Sequence, residues 1–140
     1  MATALEFGSV VCDGVGVGEG EGFQSASEIG WSHWSQVSPS LKIEDEVQLA
    51  AANSTQRLLT VCSASADATQ GARRQQQYSA AAEDMEGFGV AMACKLADVP
   101  LRIVRGISNV VGDRDKANWK VKEALAAAEK LASEIIEDAR

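Results

Sequence analysis

The sequence predicts an α/β fold built on a largely parallel sheet, and three neighbouring stretches predict it. Ala80–Met85 is a short apolar run closing on acids, and Gly87–Leu96 carries Phe88, Ala91, Met92 and Leu96 at helical spacing. Leu101–Ile107 is rich in branched residues, as a buried strand should be, and Asp98-Val99-Pro100 separates it from the helix. Strand, helix and strand in that order make a βαβ unit, whose crossover favours parallel strands. In open parallel sheets ligands sit beyond the carboxyl ends of the strands. Glu86 follows the first strand and Asn109 the second. Taken singly, a Glu opening a helix is a favourable partner for the helix dipole, and an Asn after a strand is a turn residue. Two such polar groups at matching strand ends mark a candidate site.

The remaining elements follow in chain order. Met1–Phe7 is an undistinguished start, Gly8–Cys12 is a short strand, and Asp13 ends it. Gly14–Gly22 (GVGVGEGEG) accommodates neither the dinucleotide nor the P-loop glycine spacing, and Glu19 and Glu21 would repel a phosphate. It reads as a solvated loop. Ser25 and Glu28 are spaced as a capping box for a short helical turn. Trp31 and Trp34 bracket the single histidine, His33, which has no acid or thiol at ligand spacing and reads as loop or surface packing. The two tryptophans suit either a pocket wall or an oligomer interface.

Ser40–Ala52 reads as a helix with Leu41, Val47, Leu49 and Ala50 on its apolar side and Glu44, Asp45 and Glu46 in solvent. Leu58–Cys62 is a buried strand opening into a small polar loop, Ser63–Thr69, where Ser63, Ser65 and Asp67 are all possible ligand contacts. Gly71–Tyr78 is a polar helix that Tyr78 packs against the sheet. Trp119, Val121, Leu125, Ala128, Leu131 and Ile135 form an amphipathic stripe for a closing helix over Asp113–Arg140.

Composition bounds the function. The chain has 140 residues, 46% hydrophobic and 24% charged, which suits one globular domain with a real core. A formal charge of −7 without a basic stripe argues against nucleic acid as a partner. No apolar run approaches the ~20 residues of a membrane helix, and the start lacks the pattern of a signal peptide. Cys12, Cys62 and Cys94 are widely spaced, which fits neither a disulfide framework nor a zinc site. A reducing cytoplasm is the expected setting.

Glu83-Asp84-Met85-Glu86-Gly87, followed by Val104-Arg105-Gly106-Ile107-Ser108-Asn109, resembles the paired signature of the purine nucleoside phosphorylase and nucleosidase superfamily. The fuller wording, EDMEGFGVA with LRIVRGISNVVGDRD, resembles the futalosine hydrolase family within it. That resemblance implies a three-layer nucleoside-phosphorylase-like fold with a mixed, largely parallel sheet. It also implies an N-ribosidic hydrolase that releases hypoxanthine from futalosine during menaquinone synthesis. Glu86 would grip the ribose hydroxyls, and Met85 would lie against the sugar. Asn109 would face the base, Arg105 would stand near the Glu86 carboxylate, and Ser108 would hold the loop. Phe23 would be either a wall of the ligand pocket or core filler.

The amide is informative in its own right. It cannot give up a proton at neutral pH, yet it hydrogen-bonds to N7 and O6 of a 6-oxopurine, whereas adenosine-type relatives carry Asp there. The expected partner is a small purine nucleoside, with water as second substrate, no metal or organic cofactor, and assembly as a homo-oligomer. Superfamily members begin with a further βαβ region bearing a water-activating glutamate, and no match to it precedes Gly8. Two rivals therefore stand: a related nucleosidase or phosphorylase, and a nucleoside-binding chain without turnover.

Overall fold

The computed structural model describes residues 3–31, 45–51 and 53–138. Its strands are β1 (Thr3–Phe7), β2 (Ser9–Cys12), β3 (Gly16–Val17), β4 (Gln24–Ser25), β5 (Glu46–Gln48), β6 (Arg57–Thr60), β7 (Ala82–Asp84) and β8 (Ile103–Ile107). Its helices are α1 (Ala68–Tyr78), α2 (Gly87–Leu96) and α3 (Val121–Asp138).

Four strands form the main sheet in the order β5-β2-β6-β7, with β2, β6 and β7 parallel and β5 antiparallel at one edge. Alternation along β2 and β6 decides which side chain faces which layer. Val10 and Leu58 join Phe7, Val47, Ala91 and Ile103 in one buried cluster, beneath α2. Val11 and Leu59 join Val61 and Tyr78 in a second, beneath α1. The sheet is thus covered on both faces, as parallel strands require. Each fully buried aliphatic side chain contributes about 1.5–3 kcal/mol.

The βαβ expectation needs one correction. β7 ends the main sheet, whereas β8 pairs antiparallel with β1, from Thr3 opposite Ile107 to Phe7 opposite Ile103. The start of the chain is therefore structural, and β8 is not the parallel neighbour of β7. β1 runs into β2 through Gly8, whose N–H donates to the Gln56 carbonyl and whose own carbonyl accepts from Leu49. One bent strand consequently serves two ladders.

Three further expectations change. The helix read over Ser40–Ala52 is a strand at Glu46–Gln48, paired with β2, and the alternation of buried Val47 between Glu46 and Gln48 is the physical reason. The rest of that stretch up to residue 44, with His33 and Trp34, lies outside the described residues. The glycine loop contains a small hairpin, β3 with β4, closed through a tight turn at Gly20–Gly22. Beyond it the capping box forms as expected. The Ser25 N–H donates to Glu28 Oε2 at 2.7 Å, and the Glu28 N–H donates to Ser25 Oγ at 3.3 Å.

In the closing helix α3, Ala124 is the buried residue while Leu125 is 65% exposed. α3 packs on β8 and β1. Gly106 of β8 lies so close to the Ala124 carbonyl that any Cβ would collide with it. The inward face follows Ala124, Ala127, Ala128, Leu131 and Ile135. No described helix is long and apolar enough to cross a membrane.

Candidate functional site

A cavity of about 570 Å³ opens beside the ends of β7 and β8, and Met85, Arg105, Ser108 and Asn109 line it together. The two strands share no ladder, so side chains join them. Arg105 donates from Nε and Nη2 to Asp84 Oδ2, at 3.0 and 2.7 Å. The guanidinium, expected near the Glu86 carboxylate, anchors on Asp84, whose side chain is 7% exposed.

Asp84 also organises the start of α2. Parallel register sets Thr60 opposite Asp84, and the Thr60 hydroxyl donates to Asp84 Oδ1 at 2.7 Å. Asp84 accepts the Gly87 N–H at 3.0 Å, and Thr60 Oγ1 accepts the Phe88 N–H at 2.8 Å. The first amides of the helix, which lack partners within it, are thereby satisfied. A Cβ at position 87 would stand 2.7 Å from Asp84 Oδ2 and 2.9 Å from Leu58 Cδ2, so only glycine admits this contact.

Glu86 occupies the N-cap position but makes no side-chain cap. The residue is exposed and is not among those lining the cavity, and among the described residues its carboxylate accepts one hydrogen bond, from the Met85 N–H at 3.3 Å. Helix capping therefore rests on its neighbours, and the Glu86 oxygens keep lone pairs available for donors from outside. Met85 is 53% exposed beside it.

At the other strand end, the Ser108 hydroxyl donates to Asn109 Oδ1 at 2.7 Å, while Asn109 Nδ2 donates to the Val110 carbonyl at 3.0 Å. Those two bonds fix which end of the amide is donor and which acceptor. One N–H and one lone pair remain for a ligand.

Phe23 does not reach this cavity. It lies after the turn that closes the β3–β4 hairpin, with its ring against Gly16. The three loop candidates each make a contact within the scaffold. Ser65 is fully buried, and its N–H and hydroxyl both donate to Glu83 at 2.8 Å. Ser63 offers its carbonyl to Arg74 Nη1 at 3.0 Å. Asp67 caps α1, accepting the Gln70 N–H at 2.8 Å.

Arg74 centres a network that the polar reading of its helix missed. It donates to Asp13 Oδ2 at 2.9 Å and to Ser65 Oγ at 2.9 Å, and stands 3.5 Å from Glu83 Oε2. Tyr78 donates to Asp13 Oδ1 at 2.7 Å, and burial, reinforced by that carboxylate, pushes its phenol well above the usual range. Burial also raises the Cys12 thiol to about 11, with lesser contributions from Cys62, Asp13 and Asp45.

Trp119 was missed for a different reason. It precedes α3 rather than joining its stripe, and it lines the cavity together with Arg114. The indole N–H donates to the Asp113 carbonyl at 3.1 Å, and the Arg114 guanidinium carbon lies 5.8 Å from the ring centroid. Among the described residues no group of His, Cys, Asp and Glu side chains is arranged to hold a metal ion.

Residues 39–139 match the family model described as Phosphorylase superfamily. A futalosine hydrolase of Streptomyces coelicolor is 34% identical over 114 residues, 81% of this chain and 48% of the relative. A futalosine hydrolase of Thermus thermophilus is 45% identical over 51 residues, covering 36% of this chain and 23% of that protein. One of Acidothermus cellulolyticus is 43% identical over 56 residues, covering 40% of this chain and 23% of that protein. This chain thus spans about half the length of the Streptomyces relative it matches. No solved structure gives a significant match. With its family match over most of its length and its sheet covered by helices on both faces, the chain belongs to the phosphorylase superfamily.

Proposed function

We propose that this chain supplies the nucleoside-recognising part of a futalosine hydrolase, an enzyme that cleaves the N-ribosidic bond of futalosine to release hypoxanthine. The observation that carries the reading is the Asn109 amide, held in one orientation by Ser108 and the Val110 carbonyl, in the same cavity as Met85. The futalosine hydrolase relatives support it.

Hydrolysis places water's hydroxyl on C1′ and its proton on the departing purine. The sugar passes through an oxocarbenium-like state while the purine gathers negative charge. The Glu86 carboxylate accepts hydrogen bonds from the ribose hydroxyls, and its charge favours the cationic sugar. Met85 provides an apolar surface against the ring. The remaining Asn109 N–H donates to the purine as charge builds there, strengthened because Ser108 already polarises the amide oxygen. Arg105 acts at one remove: by fixing Asp84 it ties the Glu86 turn to the strand that carries Asn109. Phe23 has no role in this reading. A setting in cytoplasmic menaquinone synthesis, and assembly as a homo-oligomer, belong to the same reading.

Calorimetry with inosine and futalosine, alongside a chromatographic assay for hypoxanthine with and without phosphate, tests it. Binding with phosphate-independent release of hypoxanthine is the expected outcome. Release only with phosphate makes the chain part of a phosphorylase. Absence of binding to either nucleoside overturns the reading.

A further inference from the structure

The loop after Asn109 is seated on α1 through two glycines. Its turn closes where the Asp113 N–H donates to the Val110 carbonyl at 3.0 Å, and Gly112, third in that turn, has the positive φ of 87° that glycine adopts freely. A Cβ on Gly112 would collide with the peptide joining Asp67 to Ala68, where α1 begins. On the helix side, a Cβ on Gly71 would stand 2.7 Å from Val111 Cγ1. Helices favour alanine over glycine, so at position 71 the Val111 contact is what calls for glycine. The helix is the fixed side of that contact. Buried Arg74 ties it to Asp13 Oδ2 and to Ser65 Oγ, each at 2.9 Å, and Asp67 caps its start. Val110 is 77% exposed, so the turn is the side that yields.

The Val110 carbonyl has a second partner. Besides closing the turn it accepts from Asn109 Nδ2 at 3.0 Å, one donor for each of its lone pairs. The Asn109 amide therefore points where the Val110–Val111 peptide directs it, and that peptide rests on α1 through the Val111 side chain. We propose that Gly71 is a positioning residue for purine recognition: the bare backbone there lets Val111 seat on the helix, and the seat sets the direction of the Val110 carbonyl and of the Asn109 amide it holds. The inference rests on the nucleoside reading above, with the remaining Asn109 N–H meeting N7 of the purine. Gly71 acts through Val111, not on the nucleoside itself.

Calorimetry compares inosine with 7-deazainosine, which has C–H in place of N7, and with 2′-deoxyinosine. The wild-type chain prefers inosine over the deaza compound by about 5–10-fold, the range for one hydrogen bond left unmade. In Gly71→Ala, which pushes the turn away, that preference falls towards one. Val111→Ala, which removes the seat without a clash, lowers it too. Combining the two substitutions moves the methyl from one side of the contact to the other. A Cβ at position 71 then stands 3.4 Å from the Cβ of position 111, near van der Waals contact, and the preference returns. The preference for inosine over 2′-deoxyinosine stays unchanged throughout, because the ribose is held from another element. A deaza preference absent from the wild type or surviving both single substitutions, a double variant no better than Gly71→Ala, or a 2′-hydroxyl preference falling in step overturns the inference. The side-chain amide resonances of Asn109, read by NMR without ligand, follow the same four proteins. If no nucleoside binds the wild-type chain, the nucleoside reading fails. The seat then stands if those resonances shift in both single variants and return in the double, and falls if they do not.

Discussion

At the scale of single residues, the division of labour between Asp84 and Glu86 matters most. Both acids come from the same five-residue run, and the sequence alone does not say which one holds the start of the helix. Burial separates them: Asp84 takes the amides of α2 and the Arg105 guanidinium, leaving Glu86 exposed. Glu86→Gln should therefore weaken inosine binding by about 10-fold or more while leaving the thermal midpoint within a degree or two, because an uncharged amide accepts less strongly from hydroxyls. Calorimetry and a melting curve on the same sample check it. Asp84→Ala should instead cost about 2–4 kcal/mol by denaturant titration, since it strips a buried acceptor from the helix start and from an ion pair partly exposed on its Arg105 side. Asn109→Asp replaces an amide that donates to the purine with a carboxylate that only accepts, so inosine affinity at neutral pH should fall about 10-fold or more; unchanged affinity would refute the role given to the amide. The place of Asn109 on the cavity wall was legible from the sequence because it follows a strand. Arg74 was not, since its partners Asp13, Ser65 and Glu83 are brought to it only by folding.

At the scale of elements, legibility tracked local periodicity. The α2 helix occupies Gly87–Leu96 as its apolar spacing predicts, and the Ser25–Glu28 box closes as its spacing predicts. The strand at Glu46–Gln48 was misread because the acids preceding Val47 suggested a solvated helix face, while the two-residue alternation that marks a strand spans only three positions. Trp119 extended a plausible helical stripe, but it closes the turn at Lys116–Asn118, ahead of the first residue of α3, and lines the cavity wall. Helix α3 approaches β8 through Gly106, and a methyl group there would push against the Ala124 backbone. Gly106→Ala should destabilise the fold by about 1–3 kcal/mol in urea titration, a cost typical of overpacking. The same variant should disturb Ser108 and Asn109 through the moved strand, lowering nucleoside affinity along with stability.

At the scale of the whole molecule, Tyr78 in the cluster beneath α1 and Cys12 at the end of β2 govern the response to alkali. Tyr78 and Cys12 both have folded-state values raised by burial, so the neutral forms are favoured by the fold. The folded protein then holds more protons than the unfolded chain above the unfolded values, and stability falls as pH rises there. The decline should begin near pH 9 with Cys12, whose folded value is about 11, and continue above pH 10 as the phenol of the unfolded chain ionises. Cys12→Ala should flatten the first part of that slope and Tyr78→Phe the second, read as thermal midpoints between pH 8 and 11. The covered parallel sheet was legible from the apolar runs around Val10 and Leu58, whereas the pairing of β1 with β8 was not, because nothing in TALEF distinguishes a strand that crosses between two sheets. That crossing has a cost for evolution. An extra residue beside Gly8 finds no slack in either direction, since slipping one ladder by a single step turns Phe7 or Val10 from the oily interior out to water. The opening segment of this family member should thus tolerate exchange of side chains far better than any change in its length.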